Sequence, residues 1–305
     1  MHPCPTTTWQ LHAQRSLPLD APRLLAIINA TPDSFAHTSA PRPTDAIDAA
    51  LRAIDEGADA LDIGGESTRP GAHAVPADEE TRRVLPVIHA VRALQGSRAH
   101  TPITIDTTKA SVARAALDAG ADAINDISAG TADPAMLPLA AARGVGIILM
   151  HRVATPQADS YSDRYAKPPL AGTVTAQVAA ALAQRVHAAI EAGIPRERIV
   201  IDPGLGFGKT VEQNLELIRA TPDLLRATNL PILSALSRKS FVGRTGLGRD
   251  SEPAERLPAT LALSALHLSL GARLFRVHDV AAHRQALAAA WAILQPLPPT
   301  PTPPP

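Results

Sequence analysis

Short apolar runs alternate along this chain with longer, alanine-rich stretches of helical spacing. Short apolar runs bounded by turn residues predict strands buried on both faces, and the stretches between them predict amphipathic helices. The strand runs lie near Leu24–Ile28, Ala60–Ile63, Ile103–Ile105, Ala123–Ile124, Gly146–Leu149, Ile199–Ile201, Pro231–Leu233 and Arg273–Val277. Helical stretches include Thr44–Asp55, Thr108–Ala119, Thr173–Ala192 and Ala254–Leu270. Several helices run into a glycine just before the next strand, at Gly57, Gly120, Gly144 and Gly271. Glycine there supplies the left-handed residue that closes a helix. Repetition of this junction predicts one βα architecture with no inserted domain.

Polar clusters sit where the apolar runs end. They are Asn29 with Asp33, Asp62 running into Thr68 and Arg69, Asp106, Asn125 with Asp126, Asp202, Ser237–Ser240, and Arg276 with His278. Any one of them alone reads as a turn or a helix cap. So many at the same place in their repeats predict a shared rim, and the C-terminal rim of a parallel α/β barrel is where such folds do chemistry. The fold class is therefore α/β, a single (β/α)8 TIM barrel. It is expected over residues 21–294, with an N-terminal extension (residues 1–20) capping its base and a disordered, proline-rich C-terminal tail (residues 295–305). A doubly wound open sheet is the alternative, but it would gather ligand residues at one switch point.

Composition narrows the function. The chain has 305 residues, with 29 acidic and 29 basic. That balance gives no basic footprint for nucleic acid. The single cysteine, Cys4, cannot form an intrachain disulfide, and no Cys/His spacing points to zinc. No apolar run reaches membrane-spanning length, and the start lacks the basic and apolar regions of a secretory signal. A cytoplasmic protein without membrane or nucleic-acid partners is expected.

The stretch Asp202–Thr210 ends in Gly-Lys-Thr. A P-loop would need glycine where Pro203 stands, and the glycine spacing does not match a dinucleotide fingerprint. What remains is a carboxylate at a strand end and a loop around Phe207. In a barrel, Asp106, Asn125, Asp202 and Lys239 would converge. Two carboxylates, an amide and an ammonium suit the edge of a flat, nitrogen-rich heterocycle. Arg276 and His278 alternate on the last strand and point the same way. With Asn29 on the neighbouring first strand, they make a candidate anion and metal site. The glycine-rich Gly64–Gly71 loop, carrying Arg69, is a candidate lid over an anion. A helix starting at Ser237–Ser240 would offer its amides to a carboxylate.

At these residues the sequence resembles the dihydropteroate synthases. The matching stretches are Asn29–Phe35, Asp62–Gly71, Asp106-Thr107, Asn125-Asp126, Met150-His151, Asp202–Lys209, Ser237–Ser240 and Arg276–Asp279. They occur in the family's order and span nearly the whole chain. The resemblance implies a Mg2+-dependent, usually homodimeric enzyme of folate synthesis. It would join 6-hydroxymethyl-7,8-dihydropterin pyrophosphate to 4-aminobenzoate by an SN1-like displacement. Carried over, Asp106, Asn125, Met150, Asp202 and Lys239 hold the pterin. Thr68, Arg69, Pro70, Phe207, Lys239 and Ser240 shape the aminobenzoate site. Asn29, Arg276 and His278 hold the pyrophosphate, with Asn29 also a metal ligand. The catalytic set is then Asn29, Arg69, Asp106, Lys239, Arg276 and His278.

Loop one departs from the family. After Ser34-Phe35 the usual Ser-Asp-Gly-Gly is replaced by Ala36-His37-Thr38-Ser39, so His37 stands where a second aspartate is common. The segment Arg152–Pro156 also lacks the common Met-Gln-Gly. Two alternatives follow. One is a catalytically impaired pterin-binding paralogue. The other is a pterin-dependent methyltransferase, which would have no need of the Glu66–Gly71 loop, of Ser237–Ser240 or of Arg276-Val277-His278.

Overall fold

The computed structural model describes residues 7–31 and 44–295. Cys4, the loop-one positions from Asp33 through His37 to Ser39, and the proline-rich tail from residue 296 lie outside the described residues. The chain opens with an antiparallel hairpin, β1 (Thr8–His12) and β2 (Arg15–Pro18). The barrel strands follow as β3 (Arg23–Asn29), β4 (Ala60–Gly64), β5 (Ile103–Asp106), β6 (Ala123–Asp126), β7 (Gly146–Met150), β8 (Ile199–Asp202), β9 (Leu233–Ser234) and β10 (Leu274–Val277). The helices between and after them are α1 (Thr44–Asp55), α2 (Ala77–Arg92), α3 (Ala110–Asp118), α4 (Met136–Arg143), α5 (Val174–Glu191), α6 (Val211–Arg219), α7 (Thr221–Thr228), α8 (Ser240–Leu247), α9 (Leu257–Ser269) and α10 (Val280–Leu294).

All eight barrel strands run parallel, in the order β8-β7-β6-β5-β4-β3-β10-β9. The ring closes where Ile201 pairs with Ile232 and its N–H donates to the Pro231 carbonyl at 3.0 Å. The seventh strand, expected over Pro231–Leu233, is a two-residue strand at Leu233–Ser234 with that single bridge before it. Proline at its start has no N–H to extend the ladder. Two helices begin two or more residues later than their sequence spacing indicates. The stretch from Ala254 enters through a tight turn at Pro253–Arg256, and α3 starts at Ala110, not Thr108.

Strand alternation explains how one sequence makes both an apolar base and a polar rim. In each strand one parity points into the barrel and the other packs on the helices. Leu24, Ala26, Ile28, Ile103, Ile105, Ile124, Phe275 and Val277 belong to the large core cluster shared with the helices. The opposite parity begins apolar at the base, with Leu25, Ala60, Ala123, Ile148, Val200 and Leu274 in a separate cluster. Two residues further along the same strands stand Asp62, Asn125, Met150, Asp202 and Arg276.

The hairpin closes the base. Trp9, Leu11, Leu17 and Leu19 are buried against that inner apolar layer, and the Trp9 indole N–H donates to the Arg198 carbonyl at 2.9 Å. Trp9→Ala should lower stability by about 3–5 kcal/mol, the range for emptying a buried aromatic site. Urea unfolding measures it, and a loss below about 1 kcal/mol would show that the hairpin is peripheral to the core.

Candidate active site

Asp62, the inward residue of β4, is fully buried and has three donors. They are the Thr104 hydroxyl, the Asn125 side-chain amide at 3.0 Å and Arg276 Nε at 2.5 Å. Arg276 Nη2 reaches Asp106 at 2.6 Å. The partly buried guanidinium from β10 thus crosses the barrel to two carboxylates on β4 and β5. Asp106 does not serve as the cap of α3. Asp133 takes that role, accepting from the Ala110 N–H at 2.8 Å.

Asp202 ends β8 and accepts the Gly204 N–H at 2.7 Å. Lys239 stands over the Phe207 ring, 4.4 Å from its centroid, and donates to the Leu205 carbonyl. Phe207 packs with Met150 and Ile127 in a small apolar cluster of their own. Asp106, Asn125, Met150 and Asp202 are all buried. Together they form a narrow floor with polar edges and one apolar wall.

A cavity of about 460 Å3 opens beside this floor. Asn29, Thr68, Arg69, Pro70, Phe207, Lys239, Ser240, Arg276 and His278 line it. The structure therefore brings the arylamine and anion candidates onto one wall system. Asp106, Asn125, Met150 and Asp202 are not part of that lining, and Arg276 links the two regions by reaching from the cavity to Asp62 and Asp106.

Two supports fix the rim. Lys109 donates to Glu66 and to Glu80 Oε2, the latter at 2.5 Å, and Arg83 Nη1 donates to the Gly65 carbonyl at 2.9 Å. These bonds tie down the base of the loop that carries Thr68, Arg69 and Pro70. On the other side Arg238 adopts φ +58°, a left-handed conformation costly for a residue with a Cβ. A two-point ion pair with Asp279 and the bond from Arg256 Nη1 to the Arg238 carbonyl, at 2.8 Å, hold it there. The strained turn delivers Ser237, Lys239 and Ser240 to the cavity wall. Ser237 Oγ lies 3.1 Å from His278 Nδ1.

Burial sets the protonation states. It pushes Asp106 up to about 7, against the pull of Arg276 and with Asp62 adding to the rise. Burial also raises Asp202, with Lys239 opposing. Lys239 is pushed down to about 8 by burial, with Asp202 opposing. Burial, then Arg238 and Arg276, lower His278 to about 3, so its imidazole is neutral at neutral pH. Arg276 loses solvation, yet Asp62 and Asp106 raise it above its ordinary value and keep it charged.

A pH profile follows. An ionised Asp106 accepts N–H donors and a protonated Lys239 donates. Affinity for a heterocycle that donates to Asp106 and accepts from Lys239 should weaken as pH falls through about 7 and as it rises through about 8. Asp106→Asn should remove the step near 7, and Lys239→Met the alkaline limb. A flat titration curve for the unaltered chain between pH ~6 and ~9 would contradict these assignments.

Three contributors escaped the sequence. Asp62 stood out as the end of a strand but carried no assigned role, although it shares the inward parity of Asp106. Ile127 and the Arg238–Asp279 pair had no local signal. Conversely Asp126, adjacent to Asn125, turns away and accepts from Ser128 and Gly130 N–H groups, each at 2.7 Å.

Residues 25–278 match the family described as pterin binding enzyme. The chain is thus a pterin-binding enzyme. A dihydropteroate synthase of Streptococcus pyogenes is 42% identical over 269 residues, covering 87% of this chain and 93% of the relative. A probable bifunctional folylpolyglutamate synthase/dihydropteroate synthase of Haloferax volcanii is 42% identical over 279 residues, or 91% of this chain, which spans 31% of that longer protein. The solved structure of Xanthomonas albilineans dihydropteroate synthase with 4-aminobenzoic acid superposes with a TM-score of 0.83 at 41% identity, covering 96% of this chain and 100% of the other. Within the pterin-binding enzymes the chain belongs to the dihydropteroate synthases, transferases of folate biosynthesis.

Proposed function

We propose that the chain condenses 6-hydroxymethyl-7,8-dihydropterin pyrophosphate with 4-aminobenzoate, giving 7,8-dihydropteroate and pyrophosphate. The observation that carries this is the union of a buried heterocycle floor with a cation-lined cavity through one arginine, Arg276. Asp106 and Asp202 accept N–H donors from the aminopyrimidinone edge, Asn125 donates and accepts, and Lys239 donates to the ring. Met150, with Ile127, forms the wall. Arg276, neutral His278 and Asn29 face the pyrophosphate.

The aminobenzoate ring lies between Phe207 and Pro70, bounded by Thr68. Its carboxylate meets Ser240 and the N-terminal amides of α8, where the helix dipole favours an anion. Arg69 closes over the charged groups. The Xanthomonas relative, solved with 4-aminobenzoic acid, supports that half of the assignment.

Mg2+ fits the available donors in a limited way. Among the described residues no three His, Cys, Asp or Glu side chains converge as a metal site. Mg2+ commonly keeps waters and binds through substrate phosphates plus one or two protein oxygens. The Asn29 side-chain oxygen at the cavity wall supplies such a donor. When bound, the ion neutralises charge on the pyrophosphate.

The bond between the pterin methylene carbon and the bridging oxygen breaks, and its electron pair leaves on pyrophosphate. Arg276 stabilises that developing charge. The neutral arylamine attacks the methylene cation and then loses one proton. No residue needs to act as a base on an aniline nitrogen. An oxygen-18 label in the bridging position should scramble in recovered substrate without 4-aminobenzoate. Retention of the label through many turnovers' worth of incubation would argue against cleavage before attack.

A cytoplasmic homodimer is the proposed assembly. Leu266 on α9 and Ile293 on α10 are exposed and offer an apolar face. Light scattering would detect the dimer. No helix among the described residues is long and apolar enough to cross a membrane.

A further inference from the structure

Lys209 is fully buried, yet no step above uses it. It ends the Gly-Lys-Thr sequence that is not a P-loop. Among the described residues its ammonium makes no hydrogen bond to a carboxylate. It donates instead to the carbonyls of Gly204 and Phe207, each at 2.8 Å, and of His151 at 3.4 Å. All three of its hydrogens are thereby used. Burial pushes the group down to about 7, with Asp202 opposing.

Those carbonyls belong to, or adjoin, the strap that follows β8. The strap lies close to its neighbours. Gly204 has φ +68°, and a Cβ there would stand 1.7 Å from the His151 carbonyl oxygen. Gly206 has φ +81°, and a Cβ there would stand 2.7 Å from Lys239 Cδ. The strap's amides have their own acceptors. Gly206 N–H donates to Asn214 at 2.6 Å and Gly208 N–H to Asp159 at 3.0 Å. Its inward carbonyls at Gly204 and Phe207 depend on Lys209, although Gly204 also accepts the Phe207 N–H at 3.0 Å.

We propose that Lys209 is a positioning residue that gathers the strap carbonyls and so sets Phe207 and the Leu205 carbonyl against Lys239, fixing the arylamine pocket. This rests on the assignment of that pocket to 4-aminobenzoate. The pterin edge depends less on the strap, because Asp106, Asn125 and Asp202 stand on strand ends.

The test is Lys209→Met, which keeps an unbranched apolar chain and removes every donor. The KM for 4-aminobenzoate should rise about tenfold or more, equivalent to about 1.4 kcal/mol. The Kd for 6-hydroxymethyl-7,8-dihydropterin should change less than about threefold. In a Phe207→Ala background the Lys209→Met effect on KM should largely vanish, because both act through one ring. Lys209→Gln, with a shorter neutral donor, should fall between the unaltered chain and Lys209→Met.

An unchanged KM in Lys209→Met would overturn the proposal, as would parallel loss of both ligands. Failure of both variants to fold would also overturn it, because the residue would then hold the barrel and not the strap. Hydrogen exchange across residues 203–208 needs no turnover. Faster exchange confined to that segment in Lys209→Met would support the positioning role even if the unaltered chain made no dihydropteroate, a result that would sink only the functional assignment.

Discussion

Arg276→Ala should reduce turnover by roughly 10²- to 10⁴-fold. The arginine is expected to give the departing pyrophosphate two charge-assisted hydrogen bonds, at about 1.5–3 kcal/mol each, and about 1.4 kcal/mol corresponds to a factor of ten in rate. Stability should fall too. Arg276 is the counter-charge of Asp62 and Asp106, both buried. Removing one side of such a pair costs about 3–5 kcal/mol when the remaining charge stays buried.

The stability loss should depend on pH. Asp106 already titrates near 7, above the usual carboxylate range, and Arg276 is what pulls it downward. Without Arg276 it should rise further. A carboxyl whose folded pKa exceeds its unfolded value favours the fold at low pH and loses that contribution as pH rises through the folded pKa. The deficit of Arg276→Ala should therefore be smallest in acid and grow above pH ~7. Urea unfolding across pH checks this. Near-normal turnover combined with weak pterin binding would remove Arg276 from its pyrophosphate role.

Lys239→Met should lower kcat/KM for the pterin substrate by roughly 10- to 200-fold, the loss of one charge-assisted bond worth about 1.5–3 kcal/mol. The alkaline limb of pterin binding should disappear with it. Methionine keeps contact with Phe207 but cannot donate to the pterin or to the Leu205 carbonyl, and it carries no charge to oppose Asp202. The 4-aminobenzoate KM should also rise, because Lys239 lines the same cavity. Steady-state kinetics in both substrates separates these effects. An unchanged pterin term would show that Lys239 serves only the arylamine.

Much of this architecture was legible because two periodicities agree. The eight apolar runs gave the strands, and α1 falls at its expected bounds, Thr44–Asp55. Gly57, Gly120, Gly144 and Gly271 all have positive φ, as helix-closing residues should. Several strands extend past their apolar runs, to Asp106, Asp126, Met150 and Asp202. Polar residues marked the end of hydrophobicity but not the end of the ladder, since at these positions they still pair in register, as Asp106 does with Asn125 and Met150 with Asp202.

Contacts made across the barrel were not legible. Asp62 is distant in sequence from Arg276, and nothing local announces their bond. The role of Arg238 depends on Asp279 and Arg256, which only the fold brings near. Lys209 drew notice as part of a failed phosphate motif, while its actual partners are backbone carbonyls, which carry no side-chain signature.

The most direct test of the central claim is product formation by the purified chain. It would be given 6-hydroxymethyl-7,8-dihydropterin pyrophosphate, Mg2+ and 4-aminobenzoate, with dihydropteroate resolved by chromatography and pyrophosphate measured in parallel. The account predicts both products in equal amounts, with dihydropteroate absent when 4-aminobenzoate is withheld. Tight pterin binding with neither product formed would contradict it and show a barrel that holds the heterocycle without joining it to anything.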